Sequence, residues 1–440
     1  MRVWTTWGLG VLLAVGLAST GCMRSEQCAS IQDCFRGEVC QAGVCVATLG
    51  PEDTDVDERD VDESDGGLID DADTPDADAD DGGEEPDTPI DPDTIYQGAL
   101  VLESPADVDA AQSYREVTGD VIFRVNVAES PALELPLLER VHGSVQIDTL
   151  SQTSSISLPS LEQIDASLSI RSNSALRSIN APVLRLVQQD LEVIASGAES
   201  LYLPKLAQVQ GTVRLMNNAE LASLNLPLLE SIAGDFIALS SSSLTGVTLS
   251  SLHRVGGSVQ VMQAEIQRLD LSALVEVGGA LSIQMLPELT SLALSALQTQ
   301  GEHAPGPHLF LSALPKLHTL EMAALEEVHG KLMISDVDAL TGLNLPVLIR
   351  VGGEMSVVSN DVLASVTLTA LEEVVGNLVL SGNPMLSTLT LPAITSVQEL
   401  NITANESLSW CEIEAVVASL RGAGWQGVAS LSGNLSNTCP

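Results

Sequence analysis

Aromatic side chains are almost missing from this chain, at 2% of 440 residues, although hydrophobic residues overall reach 45%. A globular enzyme of this length fills an irregular interior with Phe, Tyr and Trp, so an aliphatic, thin core is expected instead. Basic residues are also scarce, 18 against 59 acidic, for a formal net charge of −41. Nucleic acids and anionic membrane surfaces are held by basic patches, so neither is an expected partner. Nor does the chain carry a nucleophile motif, a phosphate-cradling loop or a redox pair. Tyr96, Tyr114 and Tyr202 are its only tyrosines, few rings for stacking on sugars. The expectation is a protein with no catalytic residues, no metal site and no cofactor.

What the chain does have is repetition. Residues Leu345–Thr390 are two copies of one 23-residue unit, LPVLIRVGGEMSVVSNDVLASVT and LTALEEVVGNLVLSGNPMLSTLT. Units open at Leu135, Leu158, Ala181, Leu203, Leu226, Leu249, Leu271, Leu294, Met322, Leu345, Leu368 and Leu391. A partial unit, Glu116–Val125, precedes them. Such a period marks a stacked array rather than separate globular domains. Within a unit apolar residues alternate, as in Gly376-Asn377-Leu378-Val379-Leu380. Period two means strand, and no unit holds ten residues of helical periodicity. Each coil should therefore offer two or three short parallel strands and be stable only when stacked. Short helical caps are expected at both ends, at Ser104–Tyr114 starting near Asp107, and at Glu412–Gly424.

Two polar columns recur with the period. Gly143, Gly211, Gly234, Gly257, Gly279, Gly330, Gly353 and Gly376 lie eight residues after a unit start. A corner needing positive φ or a close backbone approach accounts for them. Asn173, Asn218, Asn360, Asn383 and Asn405 mark a second corner, where stacked amides can satisfy turn backbone groups. A third column includes Glu139, Arg140, Glu162, Glu230, Arg254, Glu276, Glu326, Glu327, Arg350, Glu372 and Glu373. It reads as a solvated face with opposite-sign ladders rather than a catalytic cluster. The row Ser157, Asn180, Asn225, Thr248, Asn344, Thr367 and Thr390 lacks the uniform Thr of a surface built to meet ice or mineral.

Before the array, MRVWTTWGLGVLLAVGLASTGC carries Arg2, an apolar run from Trp7 to Ala18 and a small-residue end. That run is too short to span a membrane and reads as a secretory signal, residues 1–21. The ending Ser-Thr-Gly-Cys resembles a bacterial lipoprotein lipobox, which implies lipidation of Cys22. Export would favour disulfides among the other six cysteines. Cys28, Cys34, Cys40 and Cys45 form a spacing that resembles small Cys-rich modules of bacterial lipoproteins (residues 22–50). Their pairing is open among three connectivities. Residues 51–95 hold 21 acidic residues and one basic, Arg59. Such a segment cannot bury enough apolar surface to fold, so 51–97 is expected to be an extended linker. Within it, Asp76–Asp87 departs from a calcium loop, with Gly82 one position late and Asp87 last. A diffuse counterion atmosphere is expected there.

Units such as VVGNLVLSGNPMLSTLTLPAIT, with the ending NESLSWCEIEAVVASLRGAGWQGVASLSGNLSNTC, resemble the receptor L-domain, a leucine-rich-repeat-related family that includes bacterial lipoproteins. The resemblance covers about residues 100–440. It implies a mainly β fold, a right-handed parallel β-helix-like solenoid of about 12–13 coils, over residues 98–440. In the cap, Cys411 and Cys439 would then cross-link around the helix, with Trp410 and Trp425 packed beside it. The expected function is a non-enzymatic binding or adhesion scaffold, anchored to the membrane by lipid only, at the bacterial outer membrane or cell surface. Its expected partner is an extracellular or periplasmic protein or glycan. A purely structural envelope protein is the alternative, and a carbohydrate-active β-helix enzyme comes third. One place breaks the register: the spacing from Leu294 to Met322 is 28 residues. Gln298, Glu302, His303 and His308, in and beside that insertion, are the expected binding loop.

Overall fold

A computed structural model describes residues 38–41, 44–47, 91–125, 132–301 and 308–436. The chain divides into two compact units, Met1–Glu84 and Glu85–Pro440. In the first, the described residues form an antiparallel hairpin of Glu38–Gln41 with Val44–Ala47, in which Cys40 is the register partner of Cys45.

The second unit is a β-solenoid of about 13 turns of about 23 residues. Each full turn supplies three strands. In the turn opened by Leu345 they are Arg350–Val351, Met355–Val358 and Ser365–Thr367. Equivalent strands stack in parallel into a narrow sheet of 14 two-residue strands and a broad sheet of 15. The third face is split into sheets of nine and three strands. Alternation decides what is inside. Met355 and Val357 are buried, and their register partners Leu378 and Leu380 lie directly above them. Repeated over the turns, such columns make one continuous aliphatic core from Leu100 to Leu420. Only two aromatic rings, Phe123 and Phe236, stand among its largest fully buried side chains.

The corners assign their residues differently from expectation. None of the recurrent glycines has positive φ; that conformation falls one residue before the Asn column. It is adopted there by Thr149, Ser172, Ala195, Asn217 and their equivalents, with φ between 51° and 59°, and by Gly382 and Gly433. The recurrent glycines are needed for close approach. A Cβ on Gly143 would stand 2.6 Å from the backbone nitrogen of Asp120, and one on Gly376 2.8 Å from that of Glu354.

The Asn column staples neighbouring turns. Asn383 Nδ2 donates to Val357 O at 2.9 Å, and Asn405 Oδ1 accepts the N–H of Asn383 at 3.1 Å. Asn434 continues the ladder into the cap by accepting from the N–H of Asn405. These side chains are the expected structural asparagines, and Asn173, Asn218, Asn360, Asn383 and Asn405 are fully buried.

Both caps are present. Helix α1, Pro105–Ala111, begins two residues before the expected Asp107, because Ser104 and Asp107 form a reciprocal capping box and Pro105 takes the first turn. Helix α2 runs Trp410–Gly422 rather than Glu412–Gly424, set by Ser409 accepting from the N–H of Glu412. It lays Ile413, Val416, Val417 and Leu420 over the core. Trp425 packs beside it with Nε1 donating to Val397 O at 2.7 Å, whereas Trp410 is exposed. At the other end a further coil, Ile95–Tyr96 and Leu100–Leu102, pairs with the partial unit. Its first strand falls inside the segment expected to be linker, where Tyr96 meets Tyr114 edge to face. No helix among the described residues is long and apolar enough to cross a membrane.

Candidate binding surface

The outward columns of the three faces differ in chemistry. On the narrow sheet the register runs Glu116, Arg140, Gln163, Leu186 at one end and Glu327, Arg350, Glu373 at the other. This is the expected ladder of alternating charge. Arg350 reaches Glu327 and Glu373, each at 2.9 Å. Arg254 meets Glu276 at 3.2 Å. His142 sits between Glu116 and Asp165, at 3.2 and 3.0 Å. The third face presents hydroxyl and amide side chains in two columns, including Ser155, Ser178, Ser200 and Ser223 beside Ser157, Asn180, Tyr202 and Asn225.

The broad sheet carries a cluster outside the recurrent polar columns of the sequence. Arg171 and Arg214 both hold Glu192, the latter at 2.8 Å, and Arg214 also reaches Asp190 at 3.1 Å. Glu192 is only 8% exposed. Burial alone would raise its pKa, but hydrogen bonds from Arg171 and Arg214, with their charges, lower it below the ordinary glutamate value. Asp148, the register partner of Arg171, goes the other way: burial raises its pKa despite that arginine. Its Oδ1 has no hydrogen-bond partner. A signal for this cluster was available in the sequence. Asp148, Arg171, Glu192 and Arg214 alternate in sign at spacings near one turn, although they lie outside the positions four and five after each start.

Beside this cluster the outward residues turn apolar. Ile194, Met216, Leu239 and Met262 are successive register partners, and Ile237 follows Arg214 in the adjacent column. All five are half-buried. They make a flat aliphatic and thioether strip held on a rigid, fully paired sheet, the chemistry that adapts to an apolar partner surface.

The expected binding loop is placed only in part. Glu302 and His303 lie outside the described residues. Gln298 is exposed at a corner, while His308 opens a broad-sheet strand and stacks on Phe310 with ring centroids 4.2 Å apart. Between them Gln300 occupies an inward position that is Val277 and Val328 in the adjoining turns, and is fully buried. Its Nε2 donates to Gly279 O and His308 O, which ties the two ends of the insertion together. The structure therefore gives Gln300 a framework role. No group of three or more metal-ligating side chains is formed among the described residues.

Of the cysteines, Cys22, Cys28, Cys34 and Cys439 lie outside the described residues. Cys411, in the first turn of α2, does not carry a free thiol. No protein-family model matches the chain, and no curated protein matches it in sequence.

Proposed function

We propose that this protein is a non-enzymatic binding scaffold of the bacterial envelope. In this reading a lipidated Cys22 holds the chain at the membrane, the acidic segment 51–90 spaces it outward, and the solenoid presents a partner-binding face. The receptor L-domain resemblance of the repeat and a Cys411–Cys439 cross-link over α2 belong to the same reading. The observation that carries it is the broad-sheet strip Ile194, Met216, Ile237, Leu239 and Met262, bordered by the Arg171–Glu192–Arg214 cluster. An apolar centre with a charged rim is the anatomy of a protein-recognition surface.

The test uses the full chain as bait for detergent-solubilised envelope proteins. Met216→Lys combined with Leu239→Asp should abolish capture of a partner with little effect on thermal unfolding, because both side chains point away from the core and the two new charges, on register partners, are of opposite sign. Capture that survives the double substitution sinks the assignment of this face. The anchor is tested separately: Cys22→Ala should release the protein from the membrane fraction, and continued membrane partitioning contradicts it.

A further inference from the structure

Among the described residues the third face is interrupted at one place. Thr319–Glu321 and Gly342–Asn344 belong to successive turns, yet they do not pair, and this divides the face into its nine- and three-stranded sheets. The same two turns remain paired on the other two faces, Glu327 having followed Thr299 and Leu332 having followed Leu309 in register. The solenoid is thus splayed on one side only.

The missing hydrogen bonds can be identified by comparison with other turns. The N–H of Thr290 donates to Gln267 O, and that of Ala364 to Thr341 O, but that of Thr341 makes no such bond to His318. Leu294 donates to Glu321 O and Leu345 to Thr367 O, while Met322 does not reach Asn344. Leu320 is half-buried where the same column holds buried Leu292 and Leu343. The break falls between the corners of Leu314 and Val337; Asn360 Oδ1 accepts the N–H of Val337 at 3.1 Å from the following turn, but Val337 offers no amide to Leu314, as is also the case at Ser241, Ala264 and Leu286. There the N–H of Asp336 reaches Ser359 O, one residue beyond the register kept by Ser359 with Ser381.

Two facing strand edges with unused donors and acceptors match one kind of occupant, an extended peptide backbone. The corner leading into the gap carries Asp336, Asp338 and Asp361, and the opposite strand ends in Glu321. Asp338 lies close enough to Asp361 and Asp336 for their charges to raise its pKa, after burial itself. A basic occupant relieves that crowding; the chain's own acidic segment 51–95 would add to it. We propose that the gap between Thr319–Glu321 and Gly342–Asn344 is a slot for one extended, lysine-bearing peptide strand, captured by β-augmentation. This deepens the scaffold reading and rests on it, but uses a different face from the broad-sheet strip.

The probe is a synthetic peptide with the sequence of Val362–Ala370, which already pairs in this face, with a lysine added at each end. Amide exchange of the full chain is followed with and without it. In the free chain the amides of Thr341 and Met322 should exchange rapidly, while those of their counterparts Ala364 and Leu345 are protected. Saturating peptide should slow the first group by about tenfold or more. An analogue N-methylated at alternate residues keeps the side chains, loses the donors and should not bind. Protection of those two amides in the free chain, protein-concentration-dependent protection from a second copy, or equal binding of the methylated peptide would each overturn the slot. Loss of partner capture in the broad-sheet double variant with the slot still binding peptide, or the reverse, tells the two proposals apart.

Discussion

Asn383 Oδ1 accepts both the backbone N–H of Asn360, at 3.1 Å, and the side-chain amide of Asn360, at 3.0 Å. One buried carbonyl oxygen thereby satisfies two donors of the preceding turn, in a corner that water does not reach. Asn383→Ala leaves the N–H of Asn360 buried and unpaired and removes the side-chain donor to Val357 O. The expected loss is that of a stranded polar group, about 1–3 kcal/mol. Denaturant unfolding of the variant should show it, with the C-terminal turns releasing first because each turn is supported mainly by its neighbours. A loss below about 1 kcal/mol would show that the ladder is dispensable.

Two nearby glycines, Gly376 and Gly382, should respond differently to an added methyl group. Gly382 has φ of 67° and nothing closer than 3.7 Å to an added Cβ. Gly382→Ala should cost only the left-handed backbone penalty, about 1 kcal/mol, since eleven non-glycine residues, Ala404 among them, already adopt positive φ. Gly376 has ordinary φ, but its Cβ would lie 2.8 Å from Glu354 N and 2.9 Å from Gly353 C. Gly376→Ala must push adjacent turns of backbone away from each other and should cost about 2–3 kcal/mol. Melting temperatures of the pair decide the matter; the reverse order would refute the close-approach account.

The contrast shows what could be read from the sequence. The turn length, the alternation and the columns were legible because each turn repeats the same inward residues, and period two is local. Which corner takes positive φ was not legible, because Thr149, Ala195 and Asn217 carry no glycine signature and are held there by the turns on either side. The insertion at Gln298–Phe310 was visible as a break in spacing, yet Gln300, rather than His308, proved to be the buried polar side chain there. The unpaired gap beyond Glu321 left no sequence mark, since the Asn column holds Ser241, Ala264 and Leu286 in turns that stay paired on the same face.

Charge removal on the narrow sheet should matter little. Arg350 is 40% exposed on its side chain and lies between Glu327 and Glu373. Surface pairs contribute about 0–1 kcal/mol, so Arg350→Ala is expected to lower stability by less than about 1 kcal/mol at low salt and by nothing measurable in molar salt. A salt-independent loss would instead indicate that the arginine stem packs on the sheet.

The broad-sheet cluster predicts a pH dependence with two opposing signs. Glu192 has a folded-state pKa below its ordinary value of 4.5, with burial opposing and Arg171 and Arg214 prevailing. Its stabilisation is therefore present above pH 4.5 and lost as pH falls through the depressed folded value. Asp148 has a folded-state pKa above its ordinary 3.8, chiefly because it is buried. Folding is favoured by its neutral form, so that contribution is present below pH 3.8 and disappears as pH rises through the elevated folded value. At neutral pH, Glu192→Gln should cost about 1–3 kcal/mol, the worth of hydrogen bonds to a charged group. Asp148→Asn should stabilise the protein at neutral pH, and that gain should shrink toward zero in acid, where the aspartate is itself protonated. Unfolding measured for both variants from acid to neutral pH should therefore give difference curves that both decline toward acid but carry opposite signs. A gain for Asp148→Asn that persists unchanged at the acid end would mean that the unpaired Oδ1, rather than its charge, sets the cost.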